Sequence, residues 1–213
     1  MLRWYDLVVP GWLSERVWRC PASQLDEMYE RFSRPRHLDI GVGTGFYLQR
    51  LLNTDWNPCR LILADANPDC LEYASRQLAD VPHETVQIDV LDLDPQLAAR
   101  LGTVESIAAN FLLHCLPHGI ASADGLADLA SEILVDDGIF FGSTITGEVA
   151  GQQPTSRRVM RLFNRLHIFG NRGDNVYQLQ MLLSSRFAHC RIRSAGCVTM
   201  FAASNAPLAE LPE

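Results

Sequence analysis

The sequence predicts an α/β fold built on a doubly wound sheet, and three observations carry that expectation. Short apolar runs alternate with segments whose apolar residues recur at helical spacing, the pattern of buried parallel strands joined by right-handed crossovers. A glycine-rich turn follows the first run directly. The chain's 213 residues, 47% hydrophobic and 20% charged, have the size and balance of one globular domain able to bury its own core.

Residues 1–34, with Trp4, Tyr5, Trp12 and Trp18 among them, are expected to be N-terminal helices. His37 to Ile40 (HLDI) reads as the first strand, and Phe46 to Leu52 as the helix after the turn. Arg60 to Ala64 (RLILA) is the second strand. Asn67 is placed to cap the helix Pro68 to Leu78, because proline suits a first helical position that has no use for an N–H. Thr85 to Val90 and Ser106 to Phe111 are the third and fourth strands, Ala123 to Leu134 is helical, and Gly138 to Ile145 is the fifth strand. After it the pattern changes. Residues 147–172 read as an insert holding a helix from Ser156 to Leu166, with Val159, Met160, Leu162, Phe163, Leu166, Ile168 and Phe169 as its packing side chains. A helix from Val176 to Phe187 and a strand pair, Ala188 to Arg193 and Cys197 to Ala202, complete seven strands.

Composition removes several chemistries. All 18 basic residues are Arg and there is no lysine, so a lysine Schiff base, a phosphate-binding Gly-rich loop ending in Lys, and a lysine general base are excluded. No apolar run is long enough to cross a membrane. The six cysteines, at positions 20, 59, 70, 115, 190 and 197, show no metal-binding or paired spacing, which fits reduced thiols and a cytoplasmic location. Charge is uneven. Residues 1–150 carry 22 acidic and 10 Arg side chains, whereas 151–209 carry 8 Arg and only Asp174. The acidic body argues against a nucleic-acid partner. Arg157, Arg158, Arg161 and Arg165 fall on one side of a helix, either as a solvated face or as a site for an anionic group.

The chemistry is expected at the strand ends. Gly41, Gly43 and Gly45 open the turn after the first strand, where missing side chains let a ligand approach the backbone and the helix N-terminus offers unused N–H groups. Asp39 lies at the strand tip, suited to a cationic ligand group. The dinucleotide pattern G-x-G-x-x-G would need glycine at position 46, which is Phe. Asp65 ends the second strand, 20 residues after Gly45, where a carboxylate can accept hydrogen bonds from ribose hydroxyls. Asp89 ends the third, near where an adenine amino group would lie.

With these motifs the chain resembles the class I S-adenosylmethionine-dependent methyltransferases over roughly residues 36 to 145. The resemblance implies a Rossmann-like seven-stranded sheet, mostly parallel with an antiparallel last strand, preceded by N-terminal helices. It implies that Asp39, Gly41, Gly43 and Gly45 hold the methionine part of S-adenosylmethionine, that Asp65 with Ala66 grips the ribose, and that Asp89 with Val90 holds the adenine. Asn110 and Phe111 of the sequence Ala109 to His114 would face the reactive methyl. The segment Trp4-Tyr5-Asp6 is similar to the aromatic helix that closes over the cofactor in quinone-biosynthesis methyltransferases, which would put Tyr5 at the cofactor and make residues 1–34 a lid; the alternative is plain packing.

The implied reaction is an in-line displacement onto a small-molecule acceptor through an O, N, S or C atom, leaving S-adenosylhomocysteine. His114 is the expected general base, with Cys115 a weaker one, against the alternative of a structural strand-end histidine. Trp18 and His167 are expected in the acceptor pocket. Asn110 stands where a metal-dependent relative would place an Asp ligand, so no metal is expected. A nicotinamide oxidoreductase and a catalytically idle cofactor-binding subunit are the competing readings. The acceptor and the oligomeric state, a homodimer included, are left open.

Overall fold

The computed structural model describes residues 16–147 and 153–213. In chain order these form α1 (Ala22–Phe32), β1 (Arg36–Ile40), α2 (Phe46–Leu51), β2 (Arg60–Asp65), α3 (Pro68–Gln77), β3 (Glu84–Gln87), α4 (Leu97–Leu101), β4 (Val104–Asn110), α5 (Asp124–Ile133), β5 (Leu134–Ile145), α6 (Pro154–Arg165), α7 (Val176–Ser184), β6 (His189–Ala195) and β7 (Val198–Ser204). The seven strands make one sheet in the order β3-β2-β1-β4-β5-β7-β6. Strands β1 to β5 pair in parallel, and β7 runs antiparallel to both β5 and β6. This is the expected architecture, antiparallel last strand included.

Alternation along each strand divides the interior into two layers. Leu61, Leu63, Ala108, Ile139, Phe141 and Met200 point to a layer covered by α1, α2, α3 and α6. Leu38, Ile40, Ile62, Ile107, Phe140 and Phe201 point to the other, under α4, α5 and α7. Helix α1 belongs to the first: Leu25, Met28, Tyr29 and Phe32 are buried on one stripe, so this part of the N-terminal region is a packed helix. Local capping follows the sequence. Asn67 accepts from the Asp69 N–H at 3.0 Å with Pro68 in the first turn, and Asn175 forms a reciprocal capping box with Gln178 ahead of α7.

Two expectations shift. The third strand stops at Gln87, because Asp89 folds the chain into a turn in which its Oδ1 accepts the Leu91 N–H at 3.0 Å and its carbonyl accepts from Asp92 at 3.1 Å. In the insert, Met160 and Phe169 are buried but Leu162, Leu166 and Ile168 are 48–57% exposed, since α6 packs through the Ser156, Met160, Asn164 stripe instead. Among the described residues no helix is long and apolar enough to cross a membrane.

Candidate active site

The glycine turn lies at the carboxyl end of the sheet, beside the exit of β4. Gly41, Gly43 and Gly45 all have φ between 56° and 75°, the left-handed region that side chains resist. The Gly43 N–H donates to Asp65 Oδ2 at 3.0 Å, and Asp65 Oδ1 accepts from Asn67 at 2.9 Å. One carboxylate at the tip of β2 thus holds both its own loop and the glycine turn, with acceptor capacity left over. A Cβ on Gly43 would meet nothing nearer than the Gly41 carbonyl oxygen at 4.0 Å, so this turn presents bare backbone to open space.

That space is a cavity of about 80 Å³ lined by the turn, Tyr29, Asp39, Tyr47, Asn110 and Phe111. Asp39 is buried, and its Oδ2 accepts the Tyr29 hydroxyl at 3.0 Å. Burial and the neighbouring Asp39 charge hold the Tyr29 phenol well above its ordinary pKa, so it stays a donor. Tyr47 stacks on Tyr29, ring centroids 5.3 Å apart, with its own pKa raised by burial. Asn110 Oδ1 accepts from the Ser143 hydroxyl. Tyr47 Oη and Asn110 Nδ2, both buried in this lining, face each other: the Asn110 side chain hydrogen-bonds toward the Tyr47 phenol, working against the burial that raises its pKa. Phe111 has φ of 54°, rare for an aromatic residue, which turns the chain off β4 at the cavity mouth.

Six of the expected cofactor residues therefore line one cavity: Asp39, Gly41, Gly43, Gly45, Asn110 and Phe111. Asp65 adjoins it through Gly43. Ala66 is exposed on the loop beyond β2, its carbonyl accepting from Gln87, while Asp89 is exposed and Val90 buried past the end of β3. Tyr5 lies outside the described residues.

The other expectations are corrected by burial. His114 is 3% exposed, and its Nδ1 accepts the Ile145 N–H at 3.3 Å, so the lone pair a base would use is committed to the end of β5. Its carbonyl accepts from Gly170 at 2.9 Å, and its ring meets Phe169 edge-on at 4.5 Å. Desolvation pushes the imidazole from 6.5 down to about 3, not near neutrality as its sequence position suggested. It is a staple between the β4 exit, β5 and the 169–171 segment. The Cys115 thiol donates to the Phe111 carbonyl at 3.7 Å. Trp18 is 1% exposed and packs against Phe163 and Phe169 in the core instead of lining a pocket. His167 is exposed in the left-handed turn after α6 and lines neither the cavity nor the cleft beside α6.

For His114 the expected result is an imidazole whose NMR signals do not titrate between pH 8 and 5. Stability should then fall as pH drops below 6.5, because the unfolded chain takes up a proton that the folded one refuses. A midpoint near 6.5 would restore it as a candidate base.

No family model matches the chain. It is 34% identical over 192 residues to protein YbcY of Escherichia coli K12, covering 88% of this chain and 95% of that one. It is 32% identical to the O-methyltransferase NEC2 of Pyricularia oryzae, covering 96% of this chain and 89% of that one. The chain belongs to the class I S-adenosylmethionine-dependent methyltransferase family. Among solved structures, an O-methyltransferase family protein of Burkholderia thailandensis shares the fold at TM-score 0.65 and 16% identity, over 87% of this methyltransferase and 56% of that chain.

Tyr29 and Tyr47 are the site residues of this methyltransferase that sequence reasoning missed. Tyr29 precedes Asp39 by ten residues on a separate helix, where no local pattern ties the two together. Tyr47 had a signal: it stands two residues past Gly45, in the first turn of the helix that the glycines open.

Proposed function

We propose that this methyltransferase moves the methyl group of S-adenosylmethionine to an oxygen of a small-molecule acceptor, in the cytoplasm and without a metal. The observation that carries the reading is the cavity wall itself: the bare glycine backbone tied to Asp65, beside Asp39, Tyr47 and Asn110. These groups fit the amino-acid end of the cofactor, which brings both donors and acceptors. Asp65 has lone pairs free for the ribose hydroxyls. An oxygen acceptor is supported by the name of the Pyricularia relative.

A cofactor held by Asp39, Asp65 and the glycine turn would supply a methyl carbon on positive sulfur, for a displacement in which the C–O bond forms as the C–S bond breaks and the electron pair stays on sulfur. The chain's own tasks are alignment and exclusion of water. Tyr29 fixes Asp39, Ser143 fixes Asn110, and the stacked rings of Tyr29 and Tyr47 keep one wall dry. Tyr29 and Tyr47 have raised pKa values and His114 a lowered one, so none of the three is poised to take a proton near pH 7. The proton of the acceptor oxygen is then left to solvent, to prior ionisation, or to the Asp39 carboxylate in the cavity wall.

Calorimetry tests the reading. S-adenosylhomocysteine should bind the wild type, NAD should not, and Asp65→Ala should weaken binding at least tenfold, about 1.4 kcal/mol, with the circular dichroism spectrum unchanged. Binding of NAD in place of S-adenosylhomocysteine would refute it.

A further inference from the structure

Beside the site, α6 carries arginines that the cofactor reading does not use. Arg157, Arg161 and Arg165 recur every four residues, on the flank of the buried Ser156, Met160, Asn164 stripe. Arg172 joins them from the segment after the helix, and all four line one cleft of about 590 Å³ closed at its base by Met160. None of the four has a carboxylate partner among the described residues. Of the other described arginines, Arg31, Arg36, Arg50, Arg60, Arg76, Arg100, Arg186 and Arg191 each meet an Asp or Glu, whereas Arg19, Arg34, Arg158 and Arg193 meet none among the described residues but are not gathered round a cleft. Like charges at four-residue spacing repel, weakly here because all four guanidinium groups are exposed, and an anion in the cleft would turn that repulsion into attraction.

A second observation points into the same cleft. Asn164 lines it and is 6% exposed; its Nδ2 donates to the Met160 carbonyl at 3.0 Å and to Asn171 Oδ1 at 2.8 Å, while its Oδ1 is buried without a partner. An orphaned acceptor among arginines suits a ligand that brings a hydroxyl together with its negative charge.

The cleft opens near the carboxyl end of β5, the end of the sheet at which the glycine turn lies. Gly147, on its rim, lies two residues past the end of β5, and β5 pairs with β4 through Asn110 and Ser143. Met160 belongs to the same apolar layer as Val42 and Tyr47 of the cofactor cavity. We propose that this cleft holds an anionic group, carboxylate or phosphate, of the methyl acceptor, and that the substrate class is a small hydroxylated organic acid. The assignment rests on the methyltransferase reading above. It agrees with a site whose histidine and tyrosines are not poised as bases: the arginines bring in an acceptor already charged and lower the pKa of a hydroxyl close to them.

The test is titration calorimetry with three probes on the protein saturated with S-adenosylhomocysteine: 4-hydroxybenzoate, its neutral methyl ester, and inorganic phosphate. The expected result is binding of the acid at least tenfold tighter than the ester. Arg161→Gln should weaken the acid at least tenfold, and Arg158→Gln, which removes the same charge from the same helix outside the cleft, less than twofold. S-adenosylhomocysteine affinity should be the same in both variants. Equal binding of acid and ester, no binding of either, or equal losses in the two variants would overturn the proposal. So would Arg161-dependent binding of phosphate without the acid, which would make the cleft a site for a free inorganic anion. Failure of S-adenosylhomocysteine to bind the wild type would instead count against the methyltransferase reading, and is read in a separate titration.

Discussion

Gly142→Ala should lose about 3 kcal/mol of stability, the upper end of what overpacking a core costs. Gly142 lies in β5 between Ala109 of β4 and Phe201 of β7. A Cβ there would stand 2.1 Å from the Ala109 carbonyl oxygen and 2.9 Å from Phe201 Cζ. The first neighbour is backbone in a ladder of the central sheet and cannot step aside without breaking β4 from β5. The measurement is a urea transition of wild type and variant: the midpoint should fall with little change in slope, and the melting temperature by roughly 6–12 °C for a domain of this size. A variant within 0.5 kcal/mol of wild type would show that the two strands have slack which their register does not reveal.

The second large effect falls on binding. Gly43→Ala should cost the fold only about 1–2 kcal/mol, the usual penalty for a side chain in the left-handed region. Its Cβ would meet nothing nearer than the Gly41 carbonyl oxygen at 4.0 Å. The methyl group would instead occupy the space in front of the turn where the proposed cofactor sits. Affinity for S-adenosylhomocysteine should drop about a hundredfold, near 2.7 kcal/mol, while Asp65 still accepts the residue-43 N–H. Calorimetry gives the affinity and a thermal melt gives the stability. An affinity within threefold of wild type would mean that the ligand does not lie against this turn. Two glycines thus separate the demands on the chain, Gly142 answering to its own neighbouring strands and Gly43 to a molecule from outside.

The succession of strands and helices along the chain could be read from the linear pattern, because a buried parallel strand is a short apolar run and its crossover helix has its own period; their order across the sheet could not. The glycine turn, Asp39 and Asp65 were legible for a related reason: a strand-to-helix turn of this kind is local, and its glycines and carboxylates sit at fixed spacing from the strand ends. What failed were judgements about environment. His114 looked like a base because it follows β4, yet whether a histidine titrates depends on what covers it, here Phe169 and the end of β5, 31 residues further along. Trp18 and His167 were misplaced likewise, one into a pocket when it is core, the other beside the acceptor when it is exposed on a turn.

Spacing alone put Arg157, Arg158, Arg161 and Arg165 on one helix side; the packed chain keeps three of them at the cleft and leaves Arg158 outside it. That these three face a cleft which Arg172 completes, with no carboxylate partner among the described residues and beside the unpaired Asn164 oxygen, needed the packed chain. The same holds for Tyr29 on Asp39 and for Gly142 against Ala109. Local chemistry and periodicity, written into neighbouring residues, were enough for the fold class, the glycine turn and the family. Burial, pairing and charge compensation depend on residues far apart in sequence, and for that reason the roles of His114, the tyrosines and the arginines became readable only when the elements were packed together.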